Sequence, residues 1–229
     1  MSIVLGFDIY GTLIDTSAVG IDVEGLLPGR GMAFTAAWRQ KQLEYTFRRT
    51  AMKTYRDFDV CTAAALDHTS AAFGARLTDS QKARLLDRYR HLPAFPDVLP
   101  ALEALHGHGA RLLAFTNGVA ETVHALLVNA GIRDRFEDIV SVDEAKTFKP
   151  DPVVYLHYVR RACESCAACW LVSANPFDVI GAVAAGMHAA WLQRDPAVPF
   201  DPWELEPTVT IRDLSQLTHA VLERQATPV

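Results

Sequence analysis

Short apolar runs alternate with helical patterns along most of the chain, and this alternation constrains the fold more than any other feature. Four runs are nearly continuous in apolar residues, as strands buried on both faces of a parallel sheet are, and a fifth is less regular. The predicted strands are Ile3–Phe7, Arg111–Phe115, Ile139–Val142, Cys169–Val172 and Ala189–Leu192. The helical patterns between them are Asp97–His106, Ala120–Ala130, Asp151–Ala162 and Asp178–Ala185. Such repeats predict an α/β fold with a doubly wound parallel sheet.

A long segment after the first strand interrupts this alternation. It contains three helical patterns and no run that favours a strand, and Pro93 and Pro96 mark the return to the sheet. We therefore predict a helical cap of residues 16–96, inserted into a Rossmann-like catalytic core of residues 1–15 and 97–229.

Composition excludes several classes of partner. The chain of 229 residues has a net charge of -5 and no run rich in Lys or Arg, so we expect no nucleic-acid partner. Its apolar runs fall short of the ~20 residues that a membrane-spanning helix needs, and its N-terminus lacks the pattern of a secretion signal. We therefore expect a cytoplasmic protein that does not bind membranes.

Three of the four cysteines form a C-x-x-C-x-x-C pattern, which iron–sulfur and zinc sites also use. These residues are Cys163, Cys166 and Cys169 in the run CESCAACW. The surrounding sequence supplies no fourth ligand at a recognisable spacing, so we interpret them as reduced thiols and expect no bound metal.

Polar residues follow four of the predicted strands, where open α/β sheets bind their ligands. In chain order they are Asp8, Tyr10 and Thr12; Thr116 and Asn117; Lys149 and Tyr155; and Ser173, Asn175 and Asp178. Any one of the Ser, Thr or Asn residues would serve as a helix cap. Their joint occurrence after successive strands predicts a site, with the Asp8 carboxylate as the candidate nucleophile.

The motifs around these residues resemble those of the haloacid dehalogenase superfamily. The motifs are FDIYGTL at residues 7–13, TNG at 116–118, K-P-x-x-x-x-Y at 149–155 and S-x-N-x-x-D at 173–178. The run WRQKQLEYT at residues 38–46 further resembles the L-2-haloacid dehalogenase branch, whose cap carries an arginine in such a run. The resemblance extends over nearly the whole chain and implies the same core with a helical cap.

Two departures from the phosphatases of this superfamily bear on the chemistry. A phosphatase needs an acid two residues after its nucleophile to protonate the leaving alkoxide, and Tyr10, with an ordinary pKa near 10, stands there instead. Phosphatases also hold Mg²⁺ with acidic ligands, one of which is replaced here by Ala174. A halide leaves as a stable anion and needs neither acid nor metal, so both departures favour carbon–halogen displacement.

The resemblance implies hydrolytic dehalogenation of (S)-2-haloalkanoic acids to (R)-2-hydroxyalkanoic acids with inversion, through an ester on Asp8 and without a cofactor or metal. Asp8, Thr12, Lys149, Ser173, Asn175 and Asp178 would form the catalytic group. Lys149 would supply positive charge, and Asn175 and Asp178 would orient and deprotonate water, while Ser173 and Tyr155 would fix Lys149 and the carboxylate.

The resemblance also implies a substrate-binding group. Arg39 would hold the halide together with Asn117 and Phe58, and Thr116 and Asn117 would bind the substrate carboxylate. The apolar wall would consist of Tyr10, Gln40, Leu43 and Phe177. The expected partners are the 2-haloacid, the halide product and a second copy in a homodimer.

Two other functions stay open from the residues alone. One is a Mg²⁺-dependent phosphatase of a small phosphoester, which Tyr10 and Ala174 disfavour. The other is a binding protein without catalysis, which is disfavoured by the joint presence of Asp8, Lys149, Asn175 and Asp178.

Overall fold

A six-stranded parallel sheet forms the centre of the molecule. The computed structural model describes residues 3–226, with side chains described up to residue 222. The strands are β1 (Val4–Phe7), β2 (Arg111–Thr116), β3 (Asp138–Ser141), β4 (Cys169–Ser173), β5 (His188–Leu192) and β6 (Val209–Ile211). Their spatial order is β3-β2-β1-β4-β5-β6, and every neighbouring pair is parallel. The prediction of a doubly wound parallel sheet is confirmed.

The register of the three central strands determines where the site lies. Strand β1 is buried along its whole length, because its residues are apolar or glycine and strands cover both of its edges. Phe7 pairs with Ala114 on one side and with Val172 on the other, so the three strands end at nearly the same level. Residues that follow these strand ends therefore meet at one edge of the sheet.

Nine helices accompany the strands in the described part of the chain. They are α1 (Gly20–Leu26), α2 (Gly31–Met52), α3 (Phe58–Ala72), α4 (Asp79–Arg88), α5 (Val98–Gly107), α6 (Ala120–Asn129), α7 (Pro152–Ala162), α8 (Pro176–Ala184) and α9 (Leu217–Ala226). Between residues 3 and 226, no helix is long and apolar enough to cross a membrane.

The observed helices differ most from the sequence prediction at α1 and α8. Helix α1 was not predicted at all, and α8 begins at Pro176, two residues before the predicted start at Asp178. Proline fits the first turn of a helix because the N–H that it lacks would have no partner within the helix. The earlier start places Asp178 inside the first turn, at the end of the helix that adjoins the strand ends.

Helices α1 to α4 occupy the segment predicted as the cap, and the chain leaves and re-enters the core at one place. The Asp15 amide donates to the Pro93 carbonyl at 2.9 Å, and the Phe95 amide donates to the Leu13 carbonyl at 2.9 Å. This pairing holds the two connections side by side, next to the loop that carries Asp8. The domain boundaries themselves stay a prediction.

Candidate active site

The Asp8 carboxylate lies at the centre of a set of donors that come from three strand ends. Its Oδ2 accepts from Thr12 Oγ1 at 2.7 Å, from Asn175 Nδ2 at 2.7 Å and from Ser173 Oγ at 3.3 Å. Its Oδ1 accepts from Lys149 Nζ at 3.2 Å. Three donors therefore hold Oδ2, while Oδ1 has one protein donor and keeps a lone pair for reaction.

Two of the three donors to Oδ2 are themselves oriented by backbone amides. Thr12 Oγ1 accepts from the Ala174 amide at 2.9 Å, and Ser173 Oγ accepts from the Asn175 amide at 3.1 Å. Because each hydroxyl already receives an amide proton, its own proton is directed at Asp8. The loop between Asp8 and Thr12 turns at Gly11, whose φ of +84° lies in the region that glycine adopts without steric cost. The carboxylate is thus oriented before a substrate arrives.

Lys149 forms ion pairs with two carboxylates at once. Its ammonium donates to Asp8 Oδ1 at 3.2 Å, to Asp178 Oδ2 at 2.8 Å and to the Phe115 carbonyl at 2.9 Å. The side chain is 1% exposed, and all three ammonium protons have acceptors. The prediction that Lys149 supplies positive charge beside Asp8 agrees with this geometry. The charge reaches a substrate only through space, since no proton of Lys149 is left to donate.

Asp178 is fully buried behind Lys149. Burial raises the pKa of its carboxyl to about 6; the Lys149 ammonium lowers this pKa and the Asp8 carboxylate raises it. The Tyr155 hydroxyl donates to Asp178 Oδ1 at 2.8 Å. Tyr155 therefore fixes Asp178, which in turn accepts from Lys149. A pKa near neutrality suits a group that accepts a proton.

Arg39 reaches the edge of this cluster from helix α2. Its Nη2 donates to the Tyr10 carbonyl at 3.2 Å, and the same carbonyl accepts from Asn175 Nδ2 at 3.3 Å. Its Nη1 donates to Gln42 Oε1 at 2.6 Å. The guanidinium thus adjoins the amide that binds Asp8, which brings a permanent positive charge from the cap to the site.

Aromatic side chains of the predicted cap pack against residues that follow the strand ends. The Tyr10 ring packs against Phe58 at a centroid distance of 5.3 Å and against Tyr89 at 5.7 Å. Phe177 packs edge-on against Phe47 of α2 at 5.1 Å. Burial raises the pKa of Tyr10 well above its ordinary value, so its phenol is an even weaker acid than in water.

Of four further predicted residues, Thr116 and Asn117 lie at the end of β2, and Leu43 and Gln40 lie on α2. Asn117 Oδ1 accepts from the Lys149 amide at 3.0 Å, and Thr116 Oγ1 accepts from the Gly118 amide at 3.0 Å. Leu43 is half-buried on α2, one residue beyond Gln42. Gln40 is exposed and lines a surface depression with Lys41, Glu44 and His68, apart from the carboxylate cluster.

Sequence reasoning missed two residues that hold the site in place. Arg194, at the end of β5, donates to the Thr12 carbonyl at 2.6 and 3.0 Å and pairs with Asp97 at 3.2 Å. Gln42 contacts Arg39 as described above. Helix periodicity could have identified Gln42 from the sequence. Residues three apart lie on the same helix face, so Gln42 shares the face of Arg39 and Gln40 does not.

The donor set does not fit a magnesium ion. Residue 174 is alanine and offers no side-chain oxygen, and the Lys149 ammonium stands between the carboxylates of Asp8 and Asp178. Within residues 3–226, no group of three His, Cys, Asp or Glu side chains is placed to hold a metal. Mg²⁺ prefers octahedral oxygen ligands, and with alanine at residue 174 the site lacks an oxygen that such a cation would need.

A buried aspartate lies at the end of a central parallel strand, where it pairs with a buried lysine and adjoins an arginine of α2, and this arrangement suits a hydrolase. A sequence profile described as haloacid dehalogenase-like hydrolase matches residues 4–186. The chain belongs to this family, as its core motifs predicted.

Individual relatives match nearly the full length of the chain. Haloacetate dehalogenase H-2 of Moraxella sp. (strain B) is 36% identical over 95% of this chain and 96% of its own. An (S)-2-haloacid dehalogenase of Pseudomonas putida is 33% identical over 93% of each chain. The structure of L-2-haloacid dehalogenase from Xanthobacter autotrophicus with chloropropionic acid covalently bound aligns with a TM-score of 0.90 at 30% identity. That alignment covers 99% of this chain and 100% of the other.

Proposed function

We propose that this enzyme hydrolyses (S)-2-haloalkanoic acids to (R)-2-hydroxyalkanoic acids with inversion, through an ester on Asp8 and without a metal. The observation that carries the proposal is the asymmetric binding of Asp8, in which three donors hold Oδ2 and Oδ1 faces a lysine alone. This arrangement orients a carboxylate for nucleophilic attack. The names of the relatives from Moraxella and Pseudomonas support the same substrate class.

In the first half-reaction, Asp8 Oδ1 attacks C2 of the substrate from the side opposite the halogen. The new C–O bond forms as the C–halogen bond breaks, and the halide leaves with the bonding electron pair, which inverts C2. Arg39 receives the halide, since a guanidinium is permanently charged and weakly hydrated. Lys149 reduces the repulsion between the Asp8 carboxylate and the anionic substrate through the short contact at 3.2 Å.

In the second half-reaction, water attacks the carboxyl carbon of the Asp8 ester. Asp178 accepts a proton from this water, and Asn175, whose amide is 2.7 Å from Asp8 Oδ2, helps to orient it. The bond between the carboxyl carbon and the ester oxygen then breaks. The leaving alkoxide takes the proton from Asp178 and departs as the hydroxy acid. Asp8 is left as the carboxylic acid, and loss of its proton to solvent restores the Asp8 carboxylate.

The substrate itself is held by groups that follow the strand ends and by groups of the cap. Asn117 Nδ2 has no protein acceptor among the described residues and is available to the substrate carboxylate, together with the Thr116 hydroxyl. Tyr10, Phe58 and Phe177 form the apolar wall, with Leu43 as a further member on the cap side. Gln40, which the resemblance assigned to this wall, is exposed on α2 and stands apart from it.

The rate should depend on the protonation of Asp178. Because burial raises the pKa of this carboxyl to about 6, it is protonated below that pH and cannot accept a proton from water. We expect kcat to fall by about tenfold for each pH unit below about 6 and to level off above it. Halide release at saturating substrate, measured from acid to neutral pH, tests this. A kcat that stays constant to about pH 4.5 would contradict the assignment of Asp178 as the base.

Halide release with and without EDTA tests the proposed function directly. We expect the enzyme to release chloride from (S)-2-chloropropionate at the same rate in both conditions, and to act at most weakly on the (R)-enantiomer. The control is p-nitrophenyl phosphate, with and without added Mg²⁺. Metal-dependent phosphate release without chloride release would instead support the phosphatase function.

We also propose a homodimer in the cytoplasm. All four cysteines are free thiols, which suits a reducing compartment. Ile21, Met32 and Met52 are large apolar side chains exposed on α1 and α2, and a partner subunit could cover them. Sedimentation equilibrium over a range of concentrations measures the oligomeric state.

A further inference from the structure

We propose that Gln42, buried in the cap, positions Arg39 for the departing halide. This inference rests on the proposed function, because it assigns Gln42 a task in the step in which the halide leaves. Gln42 touches neither Asp8 nor the space above it, so it is a positioning residue that acts through Arg39. Its side chain is fully buried on α2, one helical turn beyond Arg39.

Hydrogen bonds fix the orientation of the Gln42 amide. Its Oε1 accepts from Arg39 Nη1 at 2.6 Å and from the Tyr89 hydroxyl at 3.3 Å. Its Nε2 donates to Thr62 Oγ1 at 2.5 Å. A guanidinium has only donors, so the reversed amide would place two donor groups against each other. The amide therefore has one orientation, and that orientation places an acceptor at Arg39.

The far end of this chain of hydrogen bonds is anchored in helix α3. Thr62 Oγ1 donates to the Phe58 carbonyl at 2.8 Å, so its lone pair faces the Gln42 amide. The indole of Trp38 donates to the Thr62 carbonyl at 2.9 Å, which ties α2 to α3 at the same level. The position of the Arg39 guanidinium is thus set from two directions, by the Tyr10 carbonyl of the core and by the interior of the cap.

Packing alone does not explain a glutamine at this position. Its neighbours include the rings of Trp38 and Tyr89, which lie 5.3 Å apart, and an aliphatic residue of similar size would fill the same space. Burying a primary amide is unfavourable unless its polar atoms are satisfied. Here they are satisfied by Arg39, Tyr89 and Thr62, and the only charged member of this set is Arg39. The geometry therefore indicates that the Gln42 amide holds the Arg39 guanidinium in position.

The test compares a chloride with a bromide leaving group in variants of Gln42 and Thr62, which form the chain of hydrogen bonds behind Arg39. Chloride is the poorer leaving group and depends more on Arg39, so Gln42→Leu should lower kcat for (S)-2-chloropropionate by about 30-fold and for (S)-2-bromopropionate by several-fold less. KM and the melting temperature should change little. Thr62→Val should act in the same direction, and Thr62→Ser, which keeps the hydroxyl, should restore the wild-type ratio of the two rates.

Thr69→Val is the matched control, because Thr69 is also a buried threonine of α3 but lies two turns beyond Thr62. We expect it to leave both rates unchanged. An unchanged ratio of chloride to bromide rates in Gln42→Leu would overturn the inference, and so would equal losses in Thr62→Val and Thr62→Ser. These outcomes are read only against a wild type that releases halide; a wild type that releases none overturns the proposed function itself.

Discussion

Replacing Asp8 by asparagine is expected to lower halide release by about 10⁴-fold or more, since loss of a covalent nucleophile typically removes most of the catalytic power of a site. The amide oxygen of asparagine is a weak nucleophile. In addition, the substituted amide group would have to face either Lys149 or the donors to Oδ2, and all of these are donors themselves. Chloride release from (S)-2-chloropropionate measures the effect.

Two controls accompany this variant. Asp134→Asn makes the same chemical change on an exposed turn just before β3, at the opposite end of that strand from the site, and should retain full activity. Intact mass confirms that the introduced asparagine has not deamidated back to aspartate. An Asp8→Asn protein of the correct mass that retained a few per cent of wild-type activity would exclude the covalent route.

The second large effect is expected from Asp178→Asn. This variant keeps Asp8, so it should release about one equivalent of halide per active site and then stop, because no base remains to activate water against the ester. The ester should accumulate and add the mass of the acyl group to the protein. A rapid-quench halide assay with intact-mass analysis on the same samples measures both quantities.

Tyr155→Phe serves as the comparison for Asp178→Asn. It removes the hydroxyl that donates to Asp178 Oδ1 at 2.8 Å but leaves the carboxylate and its contact with Lys149. We expect a loss of about tenfold in kcat, with continued turnover. Repeated turnover by Asp178→Asn at a rate near that of Tyr155→Phe would contradict the role of Asp178 as the base.

The sequence predicted the sheet well because its strands carry a strong signal. A buried parallel strand is apolar along its whole length, and each of the five predicted strands matches an observed one to within a few residues. Helix α1 was missed because Gly20 and Gly25 lower its intrinsic helix propensity. Tertiary contacts compensate: the Glu24 carboxylate accepts from the amides of Gly29 and Gly31, which ties α1 to the start of α2.

The sequence predicted which residues form the site better than it predicted the hydrogen bonds between them. The polar residues after the strand ends do converge, since parallel strands that end at one level bring their following residues together. The sequence did not reveal that all three protons of Lys149 have protein acceptors, because that depends on how deeply the side chain is buried. Helix periodicity places Gln42 rather than Gln40 on the face of Arg39, but only the structure identified its partners in α3.

The origin of the oxygen atom in the product tests the covalent route most directly. A single turnover is run in ¹⁸O-labelled water, with enzyme in excess over (S)-2-chloropropionate, and both the product and the peptide that contains Asp8 are analysed by mass spectrometry. The ester mechanism predicts an unlabelled hydroxyl group in the product and one ¹⁸O atom in the Asp8 carboxylate. Labelled product with an unlabelled Asp8 peptide would show that water attacks the substrate directly and would contradict the mechanism.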